Sequence, residues 1–306
     1  MVYQYLADRW IGRRRQVEQV AIDAIDGKTP AVVVTGGSRG IGLAIAIRFA
    51  LAGRTVALVA RDAGQLAAAV ESVQERTGQA ALAIRCDITD PAAAQIIEAR
   101  LGEHNCYLEI LVNNAGAGIG GEFILQDPAS IANVVDLNVQ APTRLTRHVL
   151  PGMLDRGRGG IINVSSLGGL MPGPYQSAYY ASKAYVISLT RALAHEVRGR
   201  GVRISCVAPG PVRTEFHEAL DSDHRALYRY LLPWMSPESV AASIYRGYRL
   251  GHAVIVPGVV NAGLYRIVGF LPYQLIVPLV GLLLYPGPNG AQQDGARHDK
   301  VRKRKA

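Results

Sequence analysis

Cysteine is scarce in this chain, with Cys86, Cys106 and Cys206 the only three among 306 residues. They share no metal-ligand spacing and no pairing pattern, which argues against a disulfide scaffold and suits a reducing compartment. His195 and the other histidines are scattered, and no metal site is expected. The first 29 residues lack an apolar core of signal-peptide length and carry Arg13-Arg14-Arg15, so no secretory leader is expected and the chain is read as cytoplasmic. No internal repeat is visible. Charge is missing altogether from Ile267 to Gln293.

Where charge is present, it is uneven. The formal net charge is +9. Residues 1–20 carry four arginines against Asp8 and Glu18, a net of +2, and residues 291–306 carry six basic residues against Asp294 and Asp299, a net of +4. Two thirds of the excess therefore lies at the ends. A basic balance raises nucleic acid as a partner, but nothing resembles a base-reading module and aromatics do not interleave with the basic runs. No nucleic-acid partner is expected, and an anionic membrane surface is the better candidate.

The body of the chain alternates apolar strands with helical stretches. Strands are expected near 31–35, 55–60, 80–85, 109–113, 160–165, 202–207 and 253–256. That rhythm predicts an α/β fold, a doubly wound parallel sheet with helices on both faces. Helix starts are legible at Asp62 with Gln65, at Asp90 before Pro91, and at Ser236 before Pro237.

The first strand, Ala31-Val32-Val33-Val34-Thr35, opens into Gly36-Gly37-Ser38-Arg39-Gly40-Ile41-Gly42 and then into a helical pattern. Strand, glycine turn and helix N-terminus together make a phosphate cradle. Far downstream, Tyr179 and Lys183 stand four residues apart, and Ser166 lies thirteen residues before the tyrosine. On a helix the phenol and the ammonium share a face. The cation favours the tyrosinate and draws the phenol toward general acid–base work. Taken alone, that spacing is also common in exposed helical pairs.

Between these two features stand Asp87 after Cys86, the run Asn113-Asn114-Ala115-Gly116, and Asn138. After them comes Pro209-Gly210-Pro211-Val212-Arg213-Thr214. In this order and spacing, over about residues 30–258, the chain resembles the short-chain dehydrogenase/reductase family, in its compact form. The resemblance implies a Rossmann-like catalytic domain over 30–258. It would be flanked by an N-terminal extension (1–29), an apolar C-terminal segment (259–290) and a basic tail (291–306).

By the same resemblance, Tyr179 exchanges the proton with the substrate oxygen, Lys183 tunes it and holds the nicotinamide ribose, and Ser166 hydrogen-bonds the substrate oxygen. Asn138 positions a water that links Lys183 to solvent. The cofactor is expected to rest on Gly36, Ser38, Arg39, Gly40, Ile41, Gly42, Arg61, Asp87, Asn113, Ala115, Pro209, Gly210, Val212 and Thr214, together with Tyr179 and Lys183. Ser166 could instead cap a strand end, and Asn138 could simply bond to backbone. Tyr180 and Ser165 are each one residue out of register. A homodimer or homotetramer is implied.

Cofactor preference is read from two positions. Ala60 stands where relatives that prefer NAD carry Asp, and the next residue is Arg61. Arg39 adds a second guanidinium, and two planar cations suit a 2′-phosphate. NADP(H) is therefore expected, unless Arg61 pairs with Asp62 or points to solvent.

A lid over about 215–235 holds Phe216, Leu220, Leu227, Tyr228, Tyr230, Leu231, Leu232 and Trp234. The facing wall, Ala117 to Gly121 and Leu167 to Gln176, holds no charged residue. A lipophilic ketone or aldehyde fits such a pocket, unless the lid aromatics pack on the domain or a neighbouring subunit. Oxidative turnover of an alcohol or hydroxysteroid, and a non-catalytic nucleotide-sensing role, are the alternatives. The stretch Ile267 to Tyr285 has nearly the length of a bilayer span. Pro272 and Pro278 interrupt it, and a single span would carry the basic tail to the far side of the membrane. Contact with the cytosolic face of a membrane, or packing on a second subunit, is expected in its place.

Overall fold

The computed structural model describes residues 25–216 and 233–285. Seven parallel strands form one sheet: β1 Thr29–Thr35, β2 Thr55–Ala60, β3 Ala81–Arg85, β4 Cys106–Asn113, β5 Gly159–Val164, β6 Val202–Val207 and β7 Val254–Ile255. Their order is β3-β2-β1-β4-β5-β6-β7. The chain reverses its direction of travel across the sheet between β1 and β4, and a crevice opens there at the carboxyl ends of the strands.

Strand geometry explains why β1 is apolar from Pro30 to Val34. Successive side chains point to opposite faces. Val32 and Val34 enter one core with Ile45, Phe49, Val56, Leu58 and Ile244, while Ala31 and Val33 enter the other with Ile97, Leu101, Leu145 and Met153. Both faces are buried, so no polar alternation is needed. The first core is covered by α1 (Gly40–Ala50), α2 (Ala63–Thr77) and α7 (Pro237–Arg249). The second is covered by α3 (Ala93–Glu103), α5 (Ala141–Asp155) and the long α6 (Ser177–Glu196). A short α4 (Pro128–Val135) precedes α5.

The helix caps follow the sequence with one difference. Asp62 accepts a hydrogen bond from the Gln65 N–H, and Ser236 accepts from the Ser239 N–H, as N-caps do. Asp90, however, turns its carboxylate onto the N–H of Ala92, and α3 begins only at Ala93. The side chain makes a local turn first, which delays the helix. Strand β4 begins at Cys106, three residues before its expected start. Glu109 breaks the apolar run in sequence, yet it is buried and accepts a 2.7 Å bond from Arg158 Nε. That ion pair makes a charged residue tolerable inside the strand.

The apolar stretch at the C-terminal end is not one helix. It forms α8 (Val259–Val268) and α9 (Tyr273–Leu284), parted at Pro272. Among the described residues, no helix is long and apolar enough to cross a membrane. The inner face of α9, through Ile276, Val280 and Leu284, packs with Val268 of α8 against Met171, Tyr175 and Tyr180. The segment therefore lies on its own domain.

Candidate active site

The glycine turn is built by steric exclusion. Gly36 and Gly40 adopt φ of 62° and 55°, a region L side chains rarely enter. A Cβ on Gly36 would sit 2.9 Å from Ala115 Cα. Behind it, Thr35 Oγ1 accepts from the N–H groups of Asn114 and Ala115, at 3.0 and 3.2 Å, and Asn114 Nδ2 donates to the Thr35 and Gly36 carbonyls. Helix α1 starts next to this turn. Its N-cap, Arg39, places no side-chain bond on the first N–H groups, and the first turn holds no acidic residue. The positive end of the helix thus faces the crevice.

A continuous cleft of about 1300 Å³ runs from this turn along the sheet edge. Most of the expected cofactor residues line it: Gly36, Ser38, Arg39, Gly40, Ile41, Arg61, Asp87, Ala115, Pro209, Gly210, Val212 and Thr214. Asn113 and Gly42 stand elsewhere. The Asn113 side chain points into the core and donates to Asn163 Oδ1 at 2.8 Å, and Asn114 is the member of the pair that lines the cleft. Gly42 serves close packing: a Cβ there would fall 2.1 Å from the Gly36 carbonyl oxygen.

The two arginines each meet a carboxylate. Arg39 pairs with Glu215, and Arg61 Nη1 lies 3.5 Å from Asp87 Oδ2, not against Asp62. Burial alone would raise the Asp87 pKa. The N–H and hydroxyl of Thr89, together with Arg61, outweigh it and hold the carboxyl below its ordinary value. Both guanidiniums are more than half exposed, so these pairs are worth about 0–1 kcal/mol each.

Deeper in the cleft stand Ser166, Tyr179 and Lys183. Tyr179 and Lys183 occupy one face of α6, with Lys183 Nζ 5.8 Å from the centre of the tyrosine ring. Lys183 is buried and donates to the Val164 carbonyl at 3.1 Å. Desolvation draws its pKa down to about 8. Ser166 follows β5 and accepts from the Gly168 N–H at 3.1 Å, capping the short 3₁₀ turn Leu167–Leu170. That bond uses a lone pair and leaves the hydroxyl proton available to the cleft. Ser165 donates to the Lys183 carbonyl at 2.7 Å, so its role is to tie β5 to α6. Leu167 N–H donates to the Pro209 carbonyl at 2.9 Å, which joins the serine loop to the Pro-Gly loop.

Asn138 sits one layer behind, in a π-helical turn, Asp136–Gln140, between α4 and α5. Its amide is held on both sides by the Ala117 backbone, accepting at 2.9 Å and donating at 2.8 Å, and it also donates to Ser182 Oγ at 3.0 Å. Gly116 keeps the space between Asn138 and Lys183 open. A Cβ there would lie 3.1 Å from Asn138 Oδ1 and 3.2 Å from Lys183 Nζ. Tyr180 also lines the cleft and meets the Tyr179 ring edge-on, with centroids 6.0 Å apart, but its own ring is packed against Gly168 and Gly173 and under α9.

Beyond Tyr179 the cleft becomes apolar. Phe216 stands with its ring 5.6 Å from that of Tyr179. Ala117, Gly118, Leu167, Leu170, Met171 and Trp234 line this end, whereas Ile119, Gly120 and Gly121 do not. The remaining wall is one that sequence reasoning missed: Leu264, Val268, Leu271, Ile276, Leu279 and Leu283 of the α8–α9 segment. Its signal was the apolar run itself, read there as a surface for other partners. The expected lid residues Leu220, Leu227, Tyr228, Tyr230, Leu231 and Leu232 lie outside the described residues, as does the basic tail. Glu215, partner of Arg39, was also missed, because ion pairing across 176 residues has no sequence signature.

Comparison with known proteins agrees with this architecture. Residues 30–225 match the family model described as short chain dehydrogenase. A ketoacyl reductase of Nostoc sp., HetN, is 34% identical over 225 residues, covering 74% of this chain and 76% of its own length. A short-chain dehydrogenase from Sphingobium yanoikuyae, solved in complex with NADPH, superposes with a TM-score of 0.69 at 32% identity, covering 81% of this chain and 95% of that one. A 3-ketoacyl-(acyl-carrier-protein) reductase from Brucella melitensis, complexed with NADH, gives 0.66 at 28% identity, covering 76% and 96%.

Proposed function

This chain belongs to the short-chain dehydrogenase family of oxidoreductases, and we propose that within it the protein is an NADPH-dependent reductase of a lipophilic ketone or aldehyde. One observation carries the reading. A single cleft joins the phosphate cradle, the Ser166–Tyr179–Lys183 group and an apolar wall from α8 and α9. Its volume, about 1300 Å³, exceeds the roughly 300–1,000 Å³ that one drug-sized ligand needs, which leaves room for cofactor and substrate together.

The cradle fits a dinucleotide. Gly36 and Gly40 leave no Cβ in the way, and the α1 N-terminus offers free N–H groups to a pyrophosphate. Arg39 and Arg61 would hold a 2′-phosphate. Their present ion pairs are too weak to compete with a doubly charged phosphate monoester. When bound, the nicotinamide supplies the hydride.

The side chains do the rest. Ser166 directs its hydroxyl proton to the substrate oxygen and steadies the charge that develops there. Tyr179 donates the proton that completes the alcohol. Lys183, as the ammonium, stabilises the tyrosinate left behind, and Asn138, fixed by Ala117 and Ser182, supports a water path that returns the proton. An apolar wall favours ketones and aldehydes with long or bulky hydrocarbon parts over sugars or small acids. The reading includes a homo-oligomer and contact with an anionic membrane from the cytoplasmic side. An NADPH-consumption screen of ketones and aldehydes of graded chain length tests it. Rising kcat/KM with chain length supports the reading, and a preference for small polar carbonyls overturns it.

A further inference from the structure

Helix α9 is apolar apart from Gln274, an exposed residue in its first turn. Its inner residues Ile276, Val280 and Leu284 are buried on the domain, but Leu275 and Leu282 are 63% and 62% exposed. Phe270 and Tyr273, at the corner between α8 and α9, are 66% and 62% exposed. A helix without a polar face is ordinarily covered on all sides, and monomeric proteins rarely leave such a patch in water. Two residues show what the patch is continuous with. Leu271 and Leu279 are 42% and 55% exposed, and both also line the catalytic cleft. The apolar end of the cleft and the exposed patch therefore share Leu271 and Leu279.

We propose that the α8–α9 corner is a lipid-facing port: its outer face seats in an anionic bilayer interface, and the substrate passes from the bilayer between Leu271 and Leu279 to Tyr179. The proposal rests on the lipophilic-carbonyl reading above and adds the source of the substrate and the path it takes. Charge selects the occupant. No charged residue interrupts 267–293, and the chain then continues into 291–306, with a net of +4. An apolar face followed by a basic run is the two-signal pattern that anionic membranes hold. A second copy of the chain, also net positive, would gain no such attraction, and seated there it would close the port.

The test uses the full-length protein, vesicles of phosphatidylcholine with and without phosphatidylglycerol, and two ketones. One is a long-chain methyl ketone held in the bilayer; the other is water-soluble butanone. The protein should co-sediment with the phosphatidylglycerol vesicles at low salt. Turnover of the long-chain ketone should follow its mole fraction in the bilayer, not its bulk concentration. Leu275→Glu with Leu282→Glu should abolish co-sedimentation and cut long-chain turnover on the order of tenfold or more, leaving butanone turnover and the thermal midpoint unchanged. A second variant, Lys303→Glu with Arg304→Glu, keeps the folded domain intact and should weaken vesicle binding on the order of tenfold or more.

Wild-type protein that stays in the supernatant overturns the port. If it is also an oligomer that the Leu275/Leu282 variant breaks, a second copy covers the face. Equal loss of both ketone activities in the Leu275/Leu282 variant likewise overturns it. If neither ketone is reduced while vesicle binding and its loss are seen, the docking surface stands, and it is the reductase reading that fails.

Discussion

Gly210 and Asn261 touch across the junction between the Pro-Gly loop and helix α8: a Cβ on Gly210 would fall 2.7 Å from the Asn261 amide. Asn261 is buried and donates to the Pro257 carbonyl at 2.9 Å. The loop lining the cleft is thus held by the first turn of the segment that walls its far end.

That contact predicts a coupled pair. Gly210→Ala should destabilise the fold by about 1–3 kcal/mol through overpacking, and Asn261→Ala by about 1 kcal/mol or more through the lost hydrogen bond. Because the small residue vacates the space the new methyl needs, the double variant should cost less than the sum. Denaturant unfolding of the four proteins checks this, and strict additivity would show that the two residues do not meet.

Tyr179→Phe should abolish turnover and leave cofactor binding nearly intact, since only the exchangeable proton is removed. Tyr180→Phe should keep most of the activity, because that ring packs under α9 against Gly168 and Gly173. Steady-state kinetics with a parallel fluorescence titration of NADPH separate the two effects. Inactivity of the Tyr180 variant alone would reassign the proton donor.

Arg39→Ala and Arg61→Ala should each weaken NADPH about 10- to 150-fold, the equivalent of a charge-assisted contact worth about 1.5–3 kcal/mol, with little change for NADH. Glu215→Gln should act in the opposite sense for NADPH, since it frees Arg39 from its competing carboxylate. Binding isotherms for both cofactors decide the matter. Equal losses for NADPH and NADH would show that the arginines do not read the 2′-phosphate.

Lys183 sets a pH limit. Its pKa is drawn from the ordinary 10.5 to about 8 by burial, so the ammonium to which the proposed mechanism assigns support of the tyrosinate is lost as pH rises through about 8. The pH profile of kcat/KM, which reports the free enzyme, should fall on the alkaline side near that value. Stability moves the other way. Between about 8 and 10.5 the unfolded chain holds a proton that the folded chain has released, so this group favours folding increasingly with pH, and the gain is lost as pH falls through about 8. Relative to Lys183→Met, the thermal midpoint of the wild type should rise from pH 7 to pH 10. A difference that does not change with pH would show that Lys183 is not desolvated.

Local chemistry made much of this protein readable. The β-branched run before Gly36, the caps at Asp62 and Ser236, and the four-residue interval from Tyr179 to Lys183 each express a rule that acts within a few residues. Where a local rule had a competitor, the reading slipped by a few residues, as at Asp90, whose side chain closed a turn before α3 could begin. At Asn113-Asn114 the sequence showed a polar pair but not its handedness. Which amide faces the cleft depends on where β4 ends relative to Thr35, whose hydroxyl donates to the Val112 carbonyl of β4 and accepts from the Asn114 N–H.

The parallel α/β fold, the glycine turn after β1, and the order of serine, tyrosine and lysine were legible in the chain alone, because periodicity, glycine sterics and helical spacing are properties of neighbours in the chain. Where the apolar run after residue 258 packs came from tertiary contacts. An apolar helix signals burial without naming its cover. Here Pro272 breaks the run, one face closes the cleft over Met171 and Tyr180, and the other is left outward. The pairing of Arg39 with Glu215 and the clasp of Asn261 on Gly210 belong to the same class. Each joins residues far apart in sequence, and a side chain's choice among distant partners is made by packing, which local pattern does not encode.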